Sequence, residues 1–240
     1  MSEPDVVVVE RDEHVLLVVL NRPQARNAVD GALTLALGNA LEEAEHDPEV
    51  RVVVLTGSGD ASFCAGADLK AIARGESLNP PGTEGWGFAG MVQHPISKPI
   101  VAAVNGTAVG GGTELVLASD LAVVSEAATF GLPEVRRGLI AAAGGLVRLP
   151  EQLPRKLAMQ MILTGRPVDA ATALRWGLVN EVVPADRLEA AADAWVGRVT
   201  RSTVLPVGRG LAERVLSLPY HEALDAALTE FTNLFTGSRR

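Results

Sequence analysis

Cysteine, histidine clusters and long apolar runs are scarce in this chain, and each scarcity excludes a class of protein. Cys64 is the single cysteine among 240 residues, so no disulfide can form within the chain. The histidines at positions 14, 46, 94 and 221 are too scattered for metal-ligand spacing, so no metal site is expected. No apolar run approaches the roughly 18 residues of a membrane-spanning helix, and we expect no contact with a membrane.

Positive charge is in deficit as well. Lys and Arg number 21 against 29 Asp and Glu, which gives a formal net charge of −8. No basic block is present, so binding of DNA or RNA is disfavoured. A cytoplasmic location fits the single cysteine and the lack of an N-terminal charged-then-apolar leader. The apolar content of 48% includes only 4% aromatics and consists mainly of Ala, Val and Leu, which favours closely packed α/β layers.

One stretch joins a strand, a glycine loop and a helix start. Residues 100–104 are apolar and rich in β-branched side chains, which predicts a buried strand. A glycine run at 110–112 leads into an apolar helix over 113–118, so bare backbone N–H groups are expected at the helix start. Glu114 lies in the first turn, where a carboxylate either caps the helix or acts as an acid or base.

A second glycine turn lies upstream of the first. Residues 52–55 predict another buried strand, and Ala65-Gly66-Ala67-Asp68 closes a loop into a helix start. Two such turns can place two N–H donors around one oxygen, which is the geometry of an oxyanion hole.

The segments before and between these turns predict simple elements. Residues 6–9 and 15–20 indicate a β-hairpin, and Asp30 can cap a helix that runs to about residue 45. Alternating strands and helices over 51–124 imply parallel strands. Residues 71–95 are rich in Gly and Pro, and form either a loop over a pocket or a surface connection. This segment holds Trp86 and Phe88, which could line an acyl pocket.

From residue 154 onward the pattern is helical, with prolines between the candidate helices. The predicted helices are 154–162, 169–175, 185–200, 205–216 and 220–235.

Short motifs along the chain resemble those of one known family. They are Asn21-Arg22-Pro23, Asn27-Ala28, Phe63-Cys64-Ala65-Gly66-Ala67-Asp68-Leu69, Ala102-Ala103-Val104-Asn105-Gly106, Gly110-Gly111-Gly112-Thr113-Glu114, Phe130-Gly131-Leu132-Pro133-Glu134, Gly144-Gly145 with Arg148-Leu149, Leu163-Thr164-Gly165 and Trp176-Gly177-Leu178-Val179. Each motif alone is weak. Their joint order and spacing resemble the crotonase superfamily, specifically the enoyl-CoA hydratase/isomerase family, over roughly residues 5 to 235.

The resemblance implies an α/β fold, a crotonase-like spiral of ββα turns with a C-terminal α-helical trimerisation region. It divides the chain into an α/β core with the CoA and acyl site at 1–153 and a helical oligomerisation region at 154–240. A homotrimer or a dimer of trimers is expected. Relatives usually continue with one more helix that helps to cover the CoA site, so part of the adenine-side contact is expected to differ.

The resemblance also implies hydration of a trans-2-enoyl-CoA thioester, as in fatty acid β-oxidation. The N–H groups of Ala67 and Gly111 would form the oxyanion hole, Glu114 would activate water, and Glu134 would donate the proton. Coenzyme A would be part of the substrate, and no separate cofactor is expected. The residues expected to contact coenzyme A are Arg22, Ala25, Arg26, Ala65, Asp68, Leu69 and Lys70.

Three alternatives stay open at this point. Other crotonase reactions could use the same scaffold, such as double-bond isomerisation or dehydration of a hydroxyacyl-CoA like carnitinyl-CoA. Retention of both Glu114 and Glu134 favours hydration or dehydration over isomerisation. A CoA-binding protein without turnover is a third candidate, and the glutamate pair argues against it. The RNA-binding role of one branch of the family is disfavoured by the net charge of −8.

Overall fold

Two β-sheets form the centre of the fold in a computed structural model that describes residues 5–201, 209–210, 212 and 218–235. The strands are β1 (Val7–Asp12), β2 (Val15–Leu20), β3 (Val52–Gly57), β4 (Ser62–Cys64), β5 (Ile100–Val104), β6 (Thr107–Val109), β7 (Leu121–Ser125), β8 (Thr129–Gly131), β9 (Val168–Asp169) and β10 (Glu181–Val183). The larger sheet has the order β1-β2-β3-β5-β7-β10, and the smaller sheet has the order β4-β6-β8-β9.

Helices surround the sheets and occupy most of the C-terminal region. They are α1 (Gly31–His46), α2 (Leu69–Ala73), α3 (Gly111–Ala118), α4 (Gly145–Gln152), α5 (Arg155–Thr164), α6 (Ala170–Trp176), α7 (Leu188–Val199) and α8 (Tyr220–Phe235). Short 3₁₀ helices lie at Pro23–Ala25, Phe88–Gly90, Pro133–Arg137 and Ala185–Arg187. No helix in the described ranges is both long enough and apolar enough to cross a bilayer.

Successive turns of the chain place one strand in each sheet. β3, β5 and β7 run parallel in the larger sheet, while β4, β6 and β8 run parallel in the smaller one. The predicted hairpin is confirmed, because β1 and β2 pair antiparallel. The repeated alternation between sheets makes a spiral, and it brings the ends of β4 and β6 to the start of α3.

Burial on both faces explains the continuous apolar strands of the larger sheet. One face packs against α7 through Leu188, Ala192 and Val196. The other face belongs to the main core, which includes the buried side of α1. The predicted cap of α1 is also confirmed, since the Asp30 carboxylate accepts a hydrogen bond of 2.9 Å from the N–H of Leu33.

The C-terminal region is helical, as predicted, but it also contains two short strands that the sequence pattern did not indicate. β9 pairs with β8, and β10 pairs with β7 at the edge of the larger sheet. Strands of two or three residues are too short to show an alternating pattern. The predicted helix at 205–216 falls largely outside the described residues, and the division at residue 153 stays a prediction.

Candidate active site

The two glycine turns meet by direct backbone contact. At Gly66, where φ is +83°, a Cβ would lie 2.9 Å from the amide nitrogen of Gly111 and 2.9 Å from the carbonyl oxygen of Val109. A Cβ at Gly112 would lie 2.0 Å from the carbonyl oxygen of Cys64. Only glycine allows backbones to approach this closely at these positions. The predicted meeting of the two turns is therefore present in the structure.

Some backbone N–H groups at this contact donate no hydrogen bond within the described residues. Ala67 follows Gly66 directly, and among the hydrogen bonds of the described residues none uses its amide as a donor. Gly111 is the first residue of α3, where the helix itself does not use the N–H groups. Neighbouring unused donors at the positive end of a helix dipole can stabilise a developing oxyanion.

The segment over 86–94 brings an aromatic ring to the same place. A Cβ on Gly111 would lie 2.3 Å from Cε1 of Phe88, so the ring rests directly against this glycine. Trp86 packs on Gly38 of α1 and stacks on His94, with 5.1 Å between ring centroids. Gly90 lies against the backbone of α1 with a φ of +70°. Docking on α1 thus places Phe88 beside the proposed oxyanion hole.

Glu114 points away from its own helix end and is almost fully buried, with 3% of its surface exposed. Its Oε1 accepts a hydrogen bond of 2.8 Å from the N–H of Gly145, the first residue of α4. The helix-capping interpretation is wrong, since no side chain caps α3. Burial and the nearby Glu134 carboxyl raise the pKa of Glu114, while the N–H groups of Gly145 and Ala143 and the Arg148 charge oppose that rise.

Glu134 approaches the start of α3 from the 3₁₀ helix Pro133–Arg137. Its Oε1 lies 2.9 Å from the position that a Cβ on Gly110 would occupy. Its Oε2 is buried and has no hydrogen-bond partner among the described residues. Burial raises the pKa of Glu134, opposed by its own N–H and by Arg137. An oxygen that lacks a donor favours the protonated acid.

The two carboxyl groups therefore lie in different surroundings at one end of α3. Burial raises the pKa of both carboxyl groups, but two N–H groups from the start of α4 oppose the rise at Glu114, whereas Oε2 of Glu134 has no donor among the described residues. A pair of carboxyl groups in different surroundings can supply a base and an acid in one site, and the titration of such a pair is shared between its two members. The predicted roles of Ala67, Gly111, Glu114 and Glu134 stay predictions.

Two of the residues predicted to contact coenzyme A bind each other instead of lying free. Nη2 of Arg22 is 3.0 Å from the Asp30 carboxylate and 3.1 Å from the Asp68 carboxylate. Nη1 of Arg22 donates to the carbonyl oxygen of Ala28. Asp68 also caps α2 by accepting from the N–H groups of Lys70 and Ala71. These contacts favour a structural role, so ligand binding by Arg22 and Asp68 stays a prediction.

The other predicted CoA contacts lie along one surface strip. The N–H of Ala65 donates to the carbonyl oxygen of Arg26 at 3.0 Å, which joins the loop after β2 to the loop before α2. Arg26, Leu69 and Lys70 are exposed, and Ala25 and Ala65 are half-buried. The strip is accessible to a ligand, and its role in binding coenzyme A stays a prediction.

The sequence does not indicate which residues surround the predicted catalytic groups. Gly145 and Arg148 belong to a family-like motif, and nothing in the sequence pairs them with Glu114. The helix start at Gly144-Gly145 was the available signal, because a glycine-led helix start exposes N–H donors to a nearby carboxylate.

Comparison with known proteins supports the resemblance. A family model described as enoyl-CoA hydratase/isomerase matches residues 10–228. The carnitinyl-CoA dehydratase of Proteus mirabilis is 42% identical over 194 residues, which make up 80% of this chain and 74% of that protein.

Solved structures show the same fold. A carnitinyl-CoA dehydratase from Mycobacterium avium is 52% identical with a TM-score of 0.85, over 97% of this chain and 91% of that one. An enoyl-CoA hydratase from Mycobacterium tuberculosis is 37% identical with a TM-score of 0.88, over the same shares of 97% and 91%. The predicted crotonase-like α/β fold is thereby confirmed. The chain belongs to the enoyl-CoA hydratase/isomerase family of the crotonase superfamily.

Proposed function

We propose that this hydro-lyase catalyses the reversible addition of water to a trans-2-enoyl-CoA thioester, giving a 3-hydroxyacyl-CoA. One observation carries the proposal. The buried Glu114 and the half-buried Glu134, whose carboxyl groups differ in their hydrogen bonds, flank the helix start where two glycine turns leave N–H donors unused. Isomerases of this superfamily generally need only one of the two carboxyl groups, so the pair favours hydration.

Each group has a defined part in the proposed reaction. The N–H groups of Ala67 and Gly111 bind the thioester oxygen and stabilise the charge that develops as the enolate forms. Glu114 takes a proton from water while the water oxygen bonds to Cβ, and Glu134 gives its proton to Cα. The substrate gains one water molecule in total. Proton exchange with solvent then restores an ionised Glu114 and a neutral Glu134.

Carnitinyl-CoA dehydration is the second candidate, and sequence identity favours it. The relatives that carry that name are 52% and 42% identical to this chain, against 37% for the enoyl-CoA hydratase from Mycobacterium tuberculosis. The chemistry is the same reaction in the reverse direction, with a quaternary ammonium group on the acyl chain. Both candidates assign coenzyme A to the substrate, and neither requires a separate cofactor. A cytoplasmic location stays a prediction.

A turnover screen separates the candidates. Purified protein is incubated with crotonyl-CoA, with longer trans-2-enoyl-CoA thioesters, with carnitinyl-CoA and with a 3-enoyl-CoA, and the absorbance of the conjugated thioester is followed. We expect hydration of the 2-enoyl thioesters or dehydration of carnitinyl-CoA. Conversion of the 3-enoyl-CoA alone would support isomerisation, and no turnover of any thioester would contradict the proposal.

We also propose that the protein assembles as a homotrimer or a dimer of trimers. Large apolar side chains are exposed on α4, α5 and the preceding loop, among them Ile140 at 68%, Val147 at 61% and Leu163 at 64%. Exposed large apolar side chains can mark contacts between subunits. We expect light scattering at micromolar concentration to give a mass about three or six times that of the chain. A particle of 25.1 kDa would contradict this prediction.

A further inference from the structure

Arg148 on α4 contacts two parts of the site that are distant in sequence. Its Nη2 donates a hydrogen bond of 2.5 Å to the carbonyl oxygen of Val92. Its Nη1 lies over Gly144, where a Cβ would come within 2.2 Å of that nitrogen. Gly144 has a φ of +106° and directly precedes Gly145, whose N–H holds Glu114. The half-buried guanidinium therefore bridges the segment over 86–94 and the start of α4.

We propose that Arg148 is a positioning residue that fixes the segment carrying Phe88 against the helix start that orients Glu114. The inference rests on the proposed function for its catalytic consequence. Its structural part stands on the contacts of Val92 and Gly144 alone. Through this bridge, one side chain sets the wall of the oxyanion hole and the direction of the base together. Arg148 itself need not touch the substrate.

The charge of Arg148 supports the same role. The charged groups whose fields act on Glu114 include Glu134, which favours its protonated form, and Arg148, which favours its carboxylate form. The charge of Arg137 acts on Glu134, where it lowers the pKa. Loss of the Arg148 charge would raise the pKa of Glu114 further. Because the base must be ionised, the acid limb of the pH profile would then move to higher pH.

The first measurement is hydrogen–deuterium exchange on the full chain, which needs no turnover. Arg148→Met removes a charge-assisted hydrogen bond, so amides over 86–94 should exchange about tenfold faster or more. Arg148→Lys keeps a donor and should lie between Met and wild type. Arg155→Met on the exposed start of α5 is the matched control and should match wild type. Unchanged exchange over 86–94 in Arg148→Met, or equal acceleration across the whole chain, would overturn the inference.

The second measurement is steady-state kinetics on the thioester that the wild type converts. Arg148→Met should lower kcat about tenfold to a hundredfold with a smaller change in KM, as expected for misplaced catalytic groups. The acid limb of its pH profile should move to higher pH, while that of Arg148→Lys stays near wild type. An unmoved limb in Arg148→Met, with an active wild type, would overturn the inference. An inactive wild type would contradict the proposed function instead and leave the exchange result to decide.

Discussion

Replacement of Glu114 or Glu134 by Gln is expected to lower kcat for the hydration of crotonyl-CoA at least about a hundredfold, since acid–base catalysis contributes about 10²–10⁴-fold. The substitution keeps the shape of the side chain and removes its ability to transfer a proton. In Glu114→Gln, the amide oxygen can still accept the N–H of Gly145, so the fold should be preserved. Neither residue contacts the predicted CoA strip, so KM should change little.

The variant that carries both Glu114→Gln and Glu134→Gln gives a further test of this mechanism. In the proposed mechanism Glu114 and Glu134 act on one water and one Cα proton, so removal of either should disable the step and the two losses should not multiply. Glu151→Gln, on the exposed side of α4, is the matched control and should keep wild-type turnover. Normal hydration by either single active-site variant would show that the two-carboxylate mechanism is wrong for this protein.

Removal of the Ala67 N–H should have an effect of similar size. Ala67→Pro deletes one donor of the proposed oxyanion hole, and the loss of one such donor costs on the order of 3 kcal/mol, or about a hundredfold in kcat. The flanking hydrogen bonds, from Val29 to the Gly66 carbonyl and from Asp68 to the Val29 carbonyl, do not involve this amide. The local bridge between these loops should therefore survive the substitution.

Ala67→Gly is the matched control because it changes the side chain and keeps the N–H. We expect it to retain most of the wild-type kcat, while Ala67→Pro loses about two orders of magnitude. Circular dichroism and thermal unfolding establish that both variants are folded. A folded Ala67→Pro protein with wild-type turnover would remove Ala67 from the oxyanion hole.

The predictable parts of this protein are those encoded locally. The hairpin, the Asp30 cap and the two glycine turns each leave a pattern within about 15 residues of sequence. Glu114 stands out for the same reason, because it lies two positions after the glycine run at a helix start. These features place the strands, the helix starts and the donors of the site without knowledge of any distant partner.

The features that the sequence does not predict depend on contacts between segments that are distant along the chain. The partner of Glu114 is a backbone amide 31 residues away, and Arg148 reaches a carbonyl 56 residues away. Arg22 is predicted from sequence to contact coenzyme A, but one of its two carboxylate partners, Asp68, is 46 residues distant. No local pattern records such pairings, since they are fixed by the packing of the two sheets. The charged partners and the burial of these residues are therefore visible only in the structure.

The two edge strands of the larger sheet have a consequence for self-association. β1 forms one edge and carries the exposed charged residues Glu10, Arg11 and Asp12, while the opposite edge strand β10 is only 3 residues long. An open edge can recruit a strand from another molecule, and charged or very short edge strands oppose such pairing. Growth into extended β-aggregates is therefore disfavoured at both edges of the sheet. This should hold even at high protein concentrations, where exposed edge strands would otherwise pair with other molecules.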